Sequence, residues 1–252
     1  MRPTMSAARS AWAAQLTDEP SGYSHYTHPN LPLTVIFDLG KSGARLAWEH
    51  FHPQTPIPLL LQHIEDQDLW RFKLSGTRAF GRALRLQPFD FLIWHRFCID
   101  ADASTSAAYQ ALIAQGEAVE AFVQREIEGL AHGRLRMAAR LRGEPVDAMQ
   151  ALRHGQAVVT DGEQSWLAMP GIAVNANVVF ASELGHQLAE QCSTFGLIWQ
   201  LSGDGEVKVS LRSNGSIDVS VIALRYGGGG HPNAAGFRLP LAQFMAEVLR
   251  IG

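Results

Sequence analysis

The stretch "RYGGGGHPNAAGF", residues 225–237, sets four consecutive glycines and a histidine between two segments that read as packed structure. Glycine lets a backbone approach a ligand closely and permits φ > 0. Successive exposed amides form an anion-binding concavity, and a helix start beside them would add partial positive charge. Pro232 suits a first helical position, so a phosphate nest at a helix start is expected at Gly227, Gly228, Gly229, Gly230 and His231. No Gly-Lys-Ser/Thr follows, which excludes a P-loop, and the glycine spacing does not fit the dinucleotide fingerprint. A flexible linker would carry serine and polar flanks, whereas "VIALRY" and "AAGFRL" flank this run.

The rest of the chain sets the setting for that loop. Its 252 residues are 46% hydrophobic, enough for one large or two modest cores. A formal net charge of −3 argues against coating long nucleic acid by charge, and leaves room for a short phosphorylated ligand in a local basic pocket. Cys98 and Cys192 have no metal spacing, and no apolar run reaches membrane-spanning length. A cytoplasmic protein without a membrane partner is the expectation.

Residues 1–30 are weakly patterned and read as a short helix at best, then loop. "LTVIFD" (33–38) predicts a buried strand. Helices are expected in "KSGARLAWEHFH" (41–52), closed by Pro53, from Pro58 toward "EDQD", around 77–86 and 89–99, and along an Ala-rich stretch from 105 to 142 that ends in "RGEP". Beyond 150 the texture changes to strands, with one helix in "VFASELGHQLAEQC" and a hairpin in "FGLIWQLSGDGEVKVSLR". "IDVSVIALRY" alternates like a strand for five residues, yet Val219, Ile222, Ala223 and Tyr226 also share a helical face; helix is favoured because Asp218 can cap its start and Gly227 its end. The order of elements predicts an α/β, two-lobed fold.

"GGGGHPNAAGF" resembles the signature of the DHHA1 domain, the substrate-binding half of DHH-superfamily phosphoesterases. "VKVSLRS" (207–213) resembles the strand whose arginine grips substrate phosphate in that domain. "FDLGKSGARLAWEHF" and "LLLQHIEDQDLWRF" resemble the later part of the DHH catalytic domain, in a branch related to oligoribonucleases and nucleotide phosphodiesterases. The resemblance extends from about Leu33 to Leu239. It implies an irregular segment (1–30), the C-terminal portion of a DHH-type domain (31–128), a helical connector (129–149) and a DHHA1-type mixed-sheet domain (150–252).

The resemblance also implies roles. Arg212 would pair with phosphate through its planar fork of donors, and His231 would donate beside the glycine amides. Asp66, with Asp68 as the near alternative, would supply the last carboxylate of a two-metal centre, usually manganese. Ser42 and Gly43 match a small-residue helix start. Asp-His-His, which supplies most of the family's metal ligands, occurs nowhere in the chain. His25 and His28 at i, i+3, with Asp38, His50, His52 and His63 nearby, form a weaker set of candidates. Arg134, Arg136, Arg140 and Arg142 read either as a cleft that guides an oligonucleotide or as a solvated helix face.

The implied function is metal-dependent phosphoester hydrolysis on a short single-stranded oligonucleotide or small nucleotide, impaired in the chain as it stands. The alternative is a nucleotide-binding module without catalysis. The resemblance leaves a homodimer open.

Overall fold

A computed structural model describes residues 17–18, 24–27, 34–38, 40–100 and 102–250. The chain divides into two compact units, 1–121 and 122–252.

In the first unit, strands β1 (Thr17–Asp18), β2 (Ser24–Thr27) and β3 (Thr34–Phe37) pair antiparallel in that order. The loop expected before residue 30 therefore contains two strands. β3 is not the buried strand that its apolar run suggested, since Phe37 is largely exposed.

Helices α1 (Gly43–Phe51), α2 (Leu59–Asp68), α3 (Thr77–Arg85) and α4 (Phe91–Asp100) lie where the periodicity placed them. Ser42 caps α1 by accepting from the Arg45 N–H. Helix α5 (Ala107–His132) begins in this unit. Leu60, Phe80, Ala83, Leu84, Tyr109 and Leu112 form the unit's core.

The second unit is built on one mixed sheet. The Ala-rich stretch does not stay helical to residue 142, because β4 (Arg136–Pro145) pairs with β6 (Gln164–Asn175). The connector predicted to be helical over 129–149 is thus largely a sheet strand. Pairing with β6 and packing of Ala139 and Leu141 in the core override the alanine helix propensity.

After α6 (Ala148–Arg153), β5 (Val158–Asp161) hairpins onto β6. A 3-10 turn (Val178–Phe180) and α7 (Ala181–Cys192) then cross over to β7 (Gly196–Leu201), which runs parallel to β6. β8 (Glu206–Arg212) returns antiparallel as the hairpin pattern predicts, with Gly205 at φ +82 in its turn.

Next come α8 (Val219–Leu224), β9 (Gly229–His231), β10 (Ala234–Pro240), α9 (Leu241–Glu247) and β11 (Leu249–Arg250). The sheet order is β11-β4-β6-β7-β8-β10-β9, so β9 is an edge strand.

Period-2 alternation assigns the two faces of this sheet. Val207, Val209 and Leu211 of β8 point with Ala235, Phe237 and Leu239 of β10 into the core beneath α8 and α9. Lys208, Ser210 and Arg212 take the opposite face, against which α7 packs. There the backbones touch: a Cβ on Gly196 would collide with the carbonyl of Gly185 on α7. Among the described residues, no helix is long and apolar enough to cross a membrane.

Candidate functional site

The glycine run does not start a helix. It follows one, since α8 ends at Leu224 with Arg225 as C-cap, and the run then enters the β9–β10 hairpin, whose turn is Pro232-Asn233. The expected helix-start charge is therefore absent from this loop, and the C-terminal end of α8 faces it instead. Pro232 is a turn residue. The turn is fastened from behind, because the Pro232 and Asn233 carbonyls accept from the Val219 and Ser213 N–H groups.

The glycines divide into structural and open positions. Gly227 has φ +74, the left-handed conformation that terminates α8. A Cβ on Gly228 would strike Phe237, and one on Gly230, at φ +148, would strike Ala235 at 2.5 Å. Gly229 has a negative or extended φ, and a Cβ there meets nothing within 4 Å.

Sheet register brings the two proposed phosphate ligands together. Gly196, Arg212, Ala234 and His231 form one row across β7, β8, β10 and β9. Residues directly opposite one another project from the same face. Arg212 and His231 therefore stand on one side of the sheet, two strands and about 9.5 Å apart, with the methyl of Ala234 between them. The adjacent row on that face is Ser210, Gly236 and Gly229. Small side chains thus form the floor of a shallow seat, and Arg212 and His231 form its sides.

Arg212 is held for this position. Its stem fits against Gly185, and its guanidinium donates to Leu211 O at 2.8 Å and Ser182 Oγ at 3.0 Å. Neither acceptor is charged, and among the described residues no carboxylate pairs with it. Burial holds the guanidinium below its ordinary pKa. A cation that is partly desolvated and lacks a counter-ion favours an anionic ligand. His231 is exposed.

Ser182 and Gly185 escaped the sequence reading. Some thirty residues separate Ser182 from Arg212, and only α7 packing on the sheet joins them. A glycine inside a helix was the one available signal, since it marks close approach.

The carboxylates of "IEDQD" do structural work. Asp66 is buried and accepts from Lys73 N at 2.8 Å, Leu74 N at 3.0 Å and Thr77 Oγ1 at 2.6 Å. Burial pushes its pKa up, but these hydrogen bonds outweigh that and hold it below the ordinary value. Asp66 is therefore not a solvated helix end: both its oxygens accept hydrogen bonds from the turn that starts α3.

Glu65 holds the other side of α2, accepting from Ser42 N and from Arg45 and Arg71. Asp68 is exposed. His63 lies buried between Thr77 Oγ1 (2.9 Å) and Tyr109 Oη (3.0 Å). His52 stacks on Trp48, His50 meets Phe51 edge-on, and Asp38 accepts from Gly40 N. His25 falls in β2, and His28 lies outside the described residues.

Among the described residues, no three His, Cys, Asp or Glu side chains group to hold a metal ion. The manganese centre implied by the resemblance thus finds no fitting ligand set in them.

The basic run is not a helix face either. Arg134 and Arg136 are exposed. Arg140 donates to the Ala246 and Glu247 carbonyls. Arg142 is buried, pairs with Glu247 and Asp161, and lies over the rings of Trp166 and Tyr226. Its partners are internal ones.

A mixed-sheet α/β unit with a cationic seat beside an edge glycine hairpin defines the class. Residues 178–251 match the DHHA1 domain. The chain is 30% identical over 205 residues to the uncharacterized protein R106 of Acanthamoeba polyphaga mimivirus, an alignment covering 80% of this chain and 42% of that protein. The chain thus spans about two fifths of that relative's length. A solved structure, the pGpG-specific phosphodiesterase PggH from Vibrio cholerae, aligns with 14% identity and a TM-score of 0.36, over 80% of this chain and 69% of its own.

Proposed function

We propose that this chain is the nucleotide-holding part of a DHH/DHHA1-type phosphoesterase, and that it grips a phosphate of a short single-stranded oligonucleotide or small nucleotide between Arg212 and His231. The observation that carries the proposal is Arg212, a partly buried guanidinium with no carboxylate partner among the described residues, on the sheet face that it shares with Ala234, Gly229 and His231. On this reading residues 31–128 are the DHH-type portion and 150–252 the DHHA1-type domain.

The chemistry follows from the donors. The planar guanidinium offers parallel N–H groups that match two phosphate oxygens, and His231 approaches from the opposite side. Binding by phosphate tolerates different bases, which suits short oligonucleotides as a class. Hydrolysis through two metals is the superfamily expectation, with manganese as its usual ion. The committed oxygens of Asp66 favour binding without turnover by the described residues alone.

The test is calorimetric titration with the 5′-phosphorylated dinucleotide pGpG, the ligand in the name of the Vibrio protein. Arg212→Ala is expected to weaken binding by about 2–5 kcal/mol, roughly thirty-fold or more. Unchanged affinity in a folded variant would remove Arg212 from the site. Turnover of pGpG by the same chain with manganese, abolished by Asp66→Ala but retaining the fold, would replace the binding reading with hydrolysis.

A further inference from the structure

Every second residue of β8 faces the α7 side of the sheet, and those residues include Lys208, Ser210 and Arg212. All three carry hydrogen-bond donors. Opposite them on β10 stand Arg238, Gly236 and Ala234, and beyond these on β9 stand Gly229 and His231. The seat between Arg212 and His231 is thus one end of a longer track, whose middle row is kept low by Gly236 and Gly229. Lys208 lies at the other end, four residues along β8 and about 13 Å from Arg212.

The position of Lys208 is unfavourable for the sheet alone. It stands directly across the β8–β10 ladder from Arg238, and like charges opposite one another destabilise a sheet. Packing does not require the pair, since both side chains are exposed. The carboxylate one row further on, Glu206, is engaged by Arg238 at 3.7 Å. Among the described residues, Lys208 has neither an ion pair nor a side-chain hydrogen bond, and the Ser210 hydroxyl has no partner either. The Arg212 guanidinium, in contrast, is turned to Leu211 O and Ser182 Oγ. The two cations of β8 therefore address separate phosphates.

We propose that Lys208 is a second phosphate contact, with Ser210 between it and the seat, and that the ligand is an oligonucleotide lying along β8 with at least two phosphates on this face. The proposal rests on the phosphate seat at Arg212 and His231 and adds length recognition to it. An ammonium on a flexible stem holds phosphate as a point charge and leaves the bases unread. A mononucleotide occupies one end of the track only.

The test titrates the full chain with pG, pGpG and pGpGpG at several salt concentrations. Wild type should bind pGpGpG roughly fivefold to tenfold more tightly than pG, the scale of one added charge-assisted contact. Lys208→Gln is the decisive variant. It relieves the like-charge pair with Arg238, so it should melt at or above the wild-type temperature. It should bind pG as wild type does and lose the gain with length. The slope of log affinity against log salt for pGpGpG should become shallower by about 0.7, the share of one phosphate on a single strand. Lys208→Arg keeps the charge and should keep both the gain and the slope.

Wild-type pGpGpG affinity and slope in Lys208→Gln would overturn the proposal, as would an equal loss for pG and pGpGpG. Equal wild-type affinity for all three lengths would overturn it too, while leaving the seat in place. Arg212→Ala separates the two ideas, since it should weaken pG as well as the longer probes. If it leaves pG unchanged while Lys208→Gln still loses pGpGpG selectively, the seat falls and the second contact stands. Failure of the wild-type chain to bind any of the three probes overturns both.

Discussion

Gly185 of α7 and Arg212 of β8 are built around each other: a Cβ on Gly185 would lie 2.8 Å from Arg212 Cγ and 3.0 Å from its Cβ. These are the root of the arginine side chain and not its flexible tip. Whatever occupies position 185 therefore sets the direction in which the guanidinium leaves the sheet.

Gly185→Ala is accordingly expected to act on Arg212 without touching a ligand. The added methyl must displace the arginine stem and break the 3.0 Å bond to Ser182. Off-rotamer and overpacking costs of about 1–3 kcal/mol are usual for such a change. Both melting temperature and pGpG affinity should drop. Ser182→Ala should lower affinity with little effect on melting, because it removes an orienting bond and leaves no clash. Equal affinity in all three proteins would show that Arg212 orientation does not matter.

A second prediction concerns acid. Tyr109 O–H donates to His63 Nε2, His63 Nδ1–H donates to Thr77 Oγ1, and Thr77 O–H donates to Asp66 Oδ2. A neutral His63 with its proton on Nδ1 satisfies every group of this chain of donors. Burial lowers the His63 pKa, with the Asp66 charge a smaller opposing influence. The unfolded chain then takes up a proton before the folded one does. Stability is full above the ordinary histidine value of 6.5 and falls as pH drops through it toward the lower native value, with a slope of at most about 1.4 kcal/mol per pH unit. Asp66, also lowered, has the same sign below the ordinary carboxylate range. Melting curves from pH 7.5 to 5 should therefore fall more steeply for wild type than for His63→Gln. Parallel curves would mean that His63 does not titrate in this window.

Much of this geometry was legible in the sequence, and the reasons are local. Asp218 accepts from Ser220 N and Val221 N, as a cap four residues after Asn214 in a turn-rich stretch should. The alternation Val207, Val209, Leu211 implies that Arg212 faces away from the core. What stayed hidden depends on distant partners. Nothing local makes Gly229–His231 a strand, and pairing with β10 decides it. β4 reads as helix until β6 lies beside it. The hydrogen bonds of Asp66 to the turn seven to eleven residues on cannot be read from "IEDQD" itself.

Arg142 and Tyr226 give the third prediction. The Arg142 N–H donates to Tyr226 Oη at 3.0 Å, and the Arg142 guanidinium reaches the Arg225 carbonyl just before the glycines. Burial pushes the Tyr226 pKa up to about 12. Tyr226→Phe leaves a buried backbone N–H without its acceptor and should cost about 1–3 kcal/mol. In an ultraviolet titration, one tyrosine of the wild type should ionise late, near pH 12, and that late step should vanish in the variant. A variant as stable as wild type would mean that the loop is positioned by other contacts.

The last prediction separates the glycines that shape the loop from the one that faces the ligand. At Gly228 a Cβ would collide with the Gly236 carbonyl and Phe237, and at Gly230 it would collide with Ala235 in a backbone region closed to side chains. Gly228→Ala and Gly230→Ala should therefore destabilise the domain, by more than the 1 kcal/mol or so of an ordinary surface change. Gly229 differs on both counts. Its φ lies outside the left-handed region, and a Cβ there enters open space on the face shared with Arg212 and His231. β-Branched residues suit a strand, so Gly229→Val should fold as well as wild type or better. The isopropyl group would nevertheless rise from the floor of the seat and displace a phosphate lying between Arg212 and His231. Normal melting with strongly weakened pGpG binding is the expected pair of results. Normal melting with normal binding would place the ligand away from this face, and the seat between Arg212 and His231 would have to be abandoned.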